Sequence, residues 1–291
     1  MKTIPLFLAV LYSVSQAPAR EPAVPAASAA GNAIPTVEQR AQAGDSAAMA
    51  ELGREFLHGT RRAKDPAQAM RWFLKGARAG NALSQVGVGF LLSNGIGCPV
   101  DKTGAGEWFR RAADQGNAKG QHNLAVLLKE GFLGPGKMPE ALEWFTKAAE
   151  QGLVESQAML GEMYYLSADG VSQDFARAAV WLEKAAAAGH NPSRTGYGSM
   201  LRFGNKIPAD KARALALFRE AAEEGYAKAM CQLADMLAGG EGTERQPVRA
   251  AAWYFKAASL DEDAGKTGWA EMEKTLTAEQ LAEARRIAAE G

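Results

Sequence analysis

Tryptophan recurs along this chain at an almost constant interval, and that interval constrains the fold more than any other feature. Trp72, Trp108, Trp144, Trp181 and Trp253 are separated by 36, 36, 37 and 72 residues. The last gap is twice 36, and its midpoint is Leu217. The segment Leu217-Phe218-Arg219-Glu220-Ala221-Ala222 stands in the same frame as Trp181-Leu182-Glu183-Lys184-Ala185-Ala186. Six copies of one unit therefore follow one another. A unit this short cannot bury an apolar face alone, so successive copies must stack on each other.

Further columns repeat in phase with the tryptophans. Three residues before each stands Ala69, Ala105, Ala141, Ala178, Ala214 or Ala250, and five after it Ala77, Ala113, Ala149, Ala186, Ala222 or Ala258. The residue just after it is Phe73, Phe109, Phe145, Leu182, Phe218 or Tyr254. These offsets lie on one stripe of a helix, so the tryptophan column is expected in the core, with alanines admitting a close neighbour. Seven residues before the tryptophan position, Asp65, Asp101, Asp174 and Asp210 are suited to cap the helix N-terminus, with Lys137 and Gln246 as exceptions. Pro66 and Pro247 suit the first helical turn. Gly80, Gly116, Gly152, Gly189 and Gly225 stand where a left-handed C-terminal residue is wanted.

An upstream helix in each unit carries its own small residue, Gly53, Gly89, Ala125, Gly161, Gly198 or Ala234. Leu52, Val88, Leu124, Leu160, Tyr197 or Leu233 precedes it, and Phe56, Leu92, Leu128, Tyr164, Leu201 or Leu237 follows three residues on. Leu-Gly-x-x-aromatic on a first helix is the tetratricopeptide pattern. With Trp-Phe-x-x-Ala-Ala followed by Gly, and a period of 36 to 37, the chain closely resembles the Sel-1-like repeat family over about Ala43 to Leu260. The resemblance implies an all-α fold, an α/α superhelical solenoid of six helical hairpins at about 43–80, 81–116, 117–152, 153–189, 190–225 and 226–260. Thr277-Ala278-Glu279-Gln280 reads as a capping box opening a last helix, so 261–291 is expected to hold capping helices.

The chain's start has a different character. Lys2, the apolar run Ile4–Val14 and Ala17-Pro18-Ala19 read as a signal peptide over residues 1–19, cleaved before Arg20. The Ala- and Pro-rich segment 20–36 reads as a flexible tether. No cysteine lies near the cleavage site for lipid attachment, and no later apolar run is long enough for a membrane span. The expected location is periplasmic or secreted. Lys plus Arg and Asp plus Glu are balanced at 33 each, which gives no positive stripe for nucleic acid. Two cysteines, Cys98 and Cys231, fall four repeats apart and form no disulfide framework.

Catalytic and cofactor signatures are missing from the sequence. His58, His122 and His190 have no ligand partners at metal-binding spacing, so no metal is expected. Gly131–Lys137 imitates a phosphate-binding loop, but Met138 replaces the hydroxyl residue and the segment joins two helices. Gly265-Lys266-Thr267 lacks the first glycine of such a loop. No Gly-x-Ser-x-Gly and no Ser-x-x-Lys occurs. A cysteine-rich branch of the family associated with β-lactamase-like activity has paired cysteines in every repeat, and these are missing here. The expectation is a chain that is not an enzyme and takes no cofactor.

In tetratricopeptide relatives the concave wall lies on the first helices, one, four and five residues after the small residue. In this chain the first of these columns reads Arg54, Phe90, Val126, Glu162, Ser199, Asp235; the second Leu57, Ser93, Lys129, Tyr165, Arg202, Ala238; the third His58, Asn94, Glu130, Leu166, Phe203, Gly239. They vary where the core columns repeat, as a specific recognition surface would. Arg54, His58, Phe90, Asn94, Lys129, Glu162, Tyr165, Arg202, Phe203 and Asp235 are the candidate partner-binding residues, since aromatics and arginines carry most interface energy. The expected function is a protein- or peptide-binding module or scaffold in the bacterial periplasm. Regulation, or inhibition of an envelope or effector protein as an immunity partner, are roles the family resemblance implies. A polysaccharide- or cell-wall-binding scaffold and a β-lactamase-like enzyme stay open as alternatives.

Overall fold

The computed structural model describes residues 35–167 and 170–290. The expected signal peptide and most of the expected tether lie outside them. Among the described residues there are fifteen helices and no strand. A short α1 (Val37–Gln42) leads into six hairpins: α2 (Ser46–His58) with α3 (Pro66–Arg78), α4 (Ala82–Asn94) with α5 (Lys102–Asp114), α6 (Ala118–Lys129) with α7 (Met138–Glu150), α8 (Val154–Leu166) with α9 (Phe175–Ala187), α10 (Asn191–Phe203) with α11 (Lys211–Glu223), and α12 (Ala227–Gly239) with α13 (Pro247–Ser259). Two helices follow, α14 (Asp263–Thr275) and α15 (Ala278–Glu290). The chain divides within α5 into two compact units, one ending at Trp108 and one beginning at Phe109. In the first, α2 packs on α1, α3 and α4. In the second, each helix from α6 to α13 packs on the next, α15 packs on α13, and alternate helices α8, α10, α12 and α14 also touch in turn.

Local chemistry fixes where these helices begin and end. Asp65 accepts the amides of Ala67 and Gln68 at 3.0 Å, Asp101 that of Gly104 at 2.8 Å, and Asp174 and Asp210 those of Arg177 and Arg213 at 2.9 Å. Each satisfies donors that the first turn leaves without an intrahelical partner. Lys137 and Gln246 make no such bond, and a proline in the first turn stands at both helices instead. At the other end Gly80, Gly116, Gly152, Gly189 and Gly225 have φ between 81° and 88°, the left-handed region where a side chain is strained.

Packing corrects one sequence expectation. The alanines three residues before the tryptophan position are all fully buried, and the residue just after it is buried in each of the six units. The tryptophans themselves are half-buried. Their outward faces carry a cation from their own helix: the ammonium of Lys75 lies 4.3 Å from the Trp72 ring centroid, Lys147 4.1 Å from Trp144, Lys184 4.4 Å from Trp181 and Lys256 5.3 Å from Trp253. The aromatic knob entering the core is the next residue. A Cβ on Gly53 or Gly87 would lie within 2.6 Å of the Phe73 ring, which is therefore clamped between α2 and α4.

The tightest crossings come from a column that the periodicity also carries, five residues before the first helix's small residue. Ala48, Ser84, Gly120, Ser156, Ser193, Ala229 and Gly265 occupy it, all buried. A Cβ on Gly265 would meet the Ala258 amide nitrogen at 2.6 Å, and one on Gly120 the Ala112 Cβ at 2.7 Å. One position on, buried glutamines satisfy carbonyls at the end of the preceding second helix. Gln85 donates to Ala77 O at 3.4 Å, Gln121 to Ala113 O at 3.4 Å and Gln157 to Ala149 O at 3.1 Å.

Both ends of the described chain are closed by polar clamps and apolar contacts. Thr36 and Gln39 form a capping box on α1, and Arg62 joins the buried carboxylate of Glu55 at 2.8 Å to Glu38 on α1. At the other end Thr277 and Gln280 form the expected capping box, with bonds of 3.0 and 3.2 Å. Ala284 and Ile287 of α15, with Trp269 and Met272 of α14, cover Ala251 and Ala252 of α13. No helix of the described residues is long and apolar enough to cross a membrane.

Candidate partner-binding surfaces

The two compact units each present one part of the residues singled out above. In the first unit Arg54 and His58 are exposed on α2. Phe90 is half-buried against the Phe73–Leu91 cluster, and Asn94 donates from Nδ2 to the Phe90 carbonyl at 2.9 Å. Leu57 and Ser93, expected to face outward four residues after the small residue, are buried. On a helix that offset turns partly back towards the packed neighbour, whereas one and five residues on face away from it.

In the second unit Glu162 and Phe203 are exposed, and Lys129, Tyr165, Arg202 and Asp235 are half-buried. The Arg202 side chain retains only 10 % exposure because it is held within the fold. Its guanidinium pairs with Glu241 at 2.6 Å and with Asp235 at 3.6 Å, and donates to Gln232 Oε1 at 3.2 Å. Asp235 in turn accepts from the Tyr254 hydroxyl. The Arg202 hydrogen bond holds the Glu241 carboxyl below its usual range, and burial pushes the Tyr254 phenol up. Arg202 and Asp235 thus brace the ends of α10 and α12, while Phe203 beside them keeps 63 % exposure.

Remaining titratable groups sit in structural settings. His122 Nδ1 lies 2.8 Å from Ser156 Oγ, and its ring meets Phe145 edge-on at 5.5 Å, so it joins α6 to α7 and α8. Burial lowers its pKa to about 4. His190 caps α10, its Nδ1 accepting the Ser193 amide at 3.3 Å, and burial lowers its pKa as well. Cys98 and Cys231 are free thiols, and burial raises the pKa of both, Cys231 to about 11. Unionised thiols are poor nucleophiles and poor metal ligands. Among the described residues no three His, Cys, Asp or Glu side chains converge as a metal site.

An open pocket of about 490 Å³ lies where the inter-helix turns of the fourth and fifth repeats come together. Tyr165, Leu166, Gln173, Phe175, Asn205 and Lys206 line it together with Gly204. Tyr165 and Phe175 meet at near right angles, 5.5 Å between centroids. Gln173 donates to the Tyr165 carbonyl at 2.8 Å, and Asn205 to the Tyr165 hydroxyl at 3.3 Å, which fixes the ring. The Lys206 ammonium lies 5.6 Å from the Phe175 ring centroid.

The Sel1 repeat family matches the chain six times, at residues 46–81, 82–117, 118–153, 154–190, 193–226 and 227–262. The chain belongs to the Sel1 repeat family. Among solved structures it is similar to a Sel1 repeat protein from Oxalobacter formigenes, at 30 % identity and a TM-score of 0.62, over 73 % of this chain and 84 % of that one. It is also similar to c5321, a protective antigen of uropathogenic Escherichia coli, at 28 % identity and a TM-score of 0.57, over 87 % of this chain. It spans 62 % of the length of c5321. The likeness to the immunity protein Pa5087 of Pseudomonas aeruginosa, at 16 % identity and a TM-score of 0.45 over 78 % of this chain and 83 % of that one, is too slight to bear on function. No curated protein matches the sequence.

Sel1 repeats mediate protein–protein interaction, and of the candidate residues in these six Arg54, His58, Glu162 and Phe203 are exposed. Reading columns on the first helices could not find the turn residues Gln173, Asn205 and Lys206. A signal was present, however. Gly97 and Gly242, each two residues beyond a glycine that ends a first helix, correspond to Lys206, and the repeat pattern breaks there.

Proposed function

We propose that this Sel1 repeat protein is a non-catalytic binding module that recognises a folded protein or a peptide through the outward side chains of its first helices. One observation carries the reading. The buried column three residues before the tryptophan position is alanine in all six repeats and the buried column just after that position is Phe, Leu or Tyr, while the outward positions one and five residues after the small residue change in size and charge from repeat to repeat. A constant scaffold with variable projecting groups can be specific for one partner, and its preformed helices keep the ordering cost of binding low. Arg54, His58, Phe90 and Asn94 serve in the first unit, and Lys129, Glu162, Tyr165 and Phe203 in the second. Arg202 and Asp235 support their neighbours from inside the network they share.

Export to the periplasm or the medium is part of this proposal. It rests on Lys2, the apolar run Ile4–Val14 and the small residues Ala17 and Ala19, with residues 20–36 as a tether and the repeats beyond it. In the envelope such a module would act as a scaffold or regulator, or as an inhibitor of another envelope or effector protein. The test is co-purification from the native cell with the full chain and with the combined variant Arg54→Ala, His58→Ala, Glu162→Ala, Phe203→Ala. These side chains are exposed, so the fold should persist. A stoichiometric protein partner retained by the parent and lost by the variant is expected. A partner kept equally by both would remove the first-helix face from the reading. Amino-terminal sequencing of the recovered chain should begin at Arg20.

A further inference from the structure

We propose that the open pocket at the turns of the fourth and fifth repeats is a docking site for a peptide segment bearing a large apolar side chain beside a carboxylate. This rests on the reading that the chain binds proteins, and it adds a second surface and a partner chemistry. The lining supplies the apolar half of the complementarity. Tyr165 and Phe175 form one wall, and Leu166 stays 56 % exposed at the rim. Phe203 stands exposed next to Gly204 of the lining. Such a concave, partly aromatic surface in water is what an apolar side chain of a partner would cover.

Charge supplies the other half. Among the described residues Lys206 makes no ion pair with a carboxylate, whereas the nearby cations Arg202 and Lys211 both pair with Glu241, at 2.6 and 3.2 Å. Among the described residues the pocket therefore presents the Lys206 ammonium, with no carboxylate paired to it, over the Phe175 ring, complementary to an anion held beside an apolar group.

The backbone shows that this lysine is kept where glycine would be easier. Lys206 has φ 55°, and the matching residues of the second and sixth repeats are Gly97 at 72° and Gly242 at 71°. Ser167, on the other side of the pocket, also has φ 55°, where Gly59, Gly95, Gly204 and Gly240 end the first helices of other repeats at 65° to 72°. A side chain in the left-handed region costs free energy that glycine avoids. Among the described residues Ser167 and Lys206 bear this cost beside the pocket, and Asp261, at φ 63°, bears it at the end of the sixth repeat. Tyr165 and Phe175 meet at right angles, and Lys206 lies over the Phe175 ring. They form no coplanar platform of the kind on which a sugar ring stacks, which favours a peptide over a glycan.

The experiment is selection of a random twelve-residue peptide display library on the immobilised full chain, on Lys206→Glu and on Lys206→Gly. The parent should enrich peptides with Phe, Trp, Leu or Ile adjacent to Asp or Glu. Lys206→Glu should exchange the acidic neighbour for Lys or Arg, and Lys206→Gly should lose the charge preference while its melting temperature is no lower than the parent's. No enriched peptide, an unchanged preference in Lys206→Glu, or binding of chitotetraose that Tyr165→Ala abolishes would each overturn the proposal. A native partner that survives Lys206→Glu but is lost with the exposed first-helix variant would sink this pocket and leave the wider binding reading intact.

Discussion

Trp144 and Phe145 stand side by side and do different work. Phe145 is fully buried between helices, so Phe145→Ala should cost about 3–5 kcal/mol in chemical denaturation. Trp144 keeps one face in water under Lys147, so Trp144→Ala should cost about 1–3 kcal/mol. Equal costs would mean that the Trp144 ring is sheltered from water as fully as Phe145. The sequence showed both columns but not which was the deeper, because recurrence at fixed phase reports a constant environment and not burial. Arg202 and Asp235 were obscured for another reason. The carboxylate that engages Arg202 comes from Glu241, 39 residues on in a turn, and no column on the helix reveals it. A buried histidine gives the protein a pH dependence. His122 is neutral in the fold with a pKa of about 4, against 6.5 when exposed. The unfolded chain therefore binds more protons between these values. The stability that neutral His122 permits is complete above about pH 6.5 and declines as the pH falls towards 4. From pH 7 to pH 5 this amounts to about 2 kcal/mol. Denaturation midpoints of the parent and of His122→Gln at the two pH values should show the parent losing more by that margin. Parallel losses would place the acid sensitivity elsewhere.

Helices were the most legible level, since caps and glycines act over a few residues. Asp174 accepts the Arg177 amide at 2.9 Å, and Asp174→Ala should lower stability by about 1 kcal/mol while Asp174→Ser or Asp174→Asn largely restores it. Failure of both conservative changes to rescue would show that the carboxylate acts through its ion pair with Arg177 at 3.4 Å instead. The crossings were legible only in part. Gly161 announced a close approach, and its Cβ would lie 2.6 Å from Leu182 Cγ, so Gly161→Ala should destabilise by about 1–3 kcal/mol despite alanine's better helix propensity. The seven small residues from Ala48 to Gly265 were equally periodic, yet mixed Ala, Ser and Gly resemble an ordinary surface pattern until the neighbouring helix is placed against them. The turns were least legible. Their lengths differ, and the pocket joins two turns about 35 residues apart in sequence, which only the stacking brings together.

Stacked repeats make stability a sum of neighbour contacts, so the consequences of removing one end should be local. Within the unit that begins at Phe109, α13 packs on α12, α14 and α15, and the last two cover Ala251, Ala252 and Tyr254. The contact is intimate at Gly268, where an added Cβ would lie 2.2 Å from the Tyr254 ring. Ending the chain after Leu260 would uncover this face. It would also loosen Tyr254, whose hydroxyl anchors Asp235 and, through it, Arg202. Hydrogen exchange should then accelerate in α12 and α13 and in the α10 end that Arg202 braces, while α6, α7 and α8 keep the protection of the full chain. The proposed first-helix positions at Lys129 and Glu162 would survive such a cut, and the pocket beside Asn205 and Lys206 would be affected through the turn that follows Arg202. Uniform loss of protection from α6 to α13 would instead show one cooperative body, in which the last two helices stabilise every proposed binding position alike.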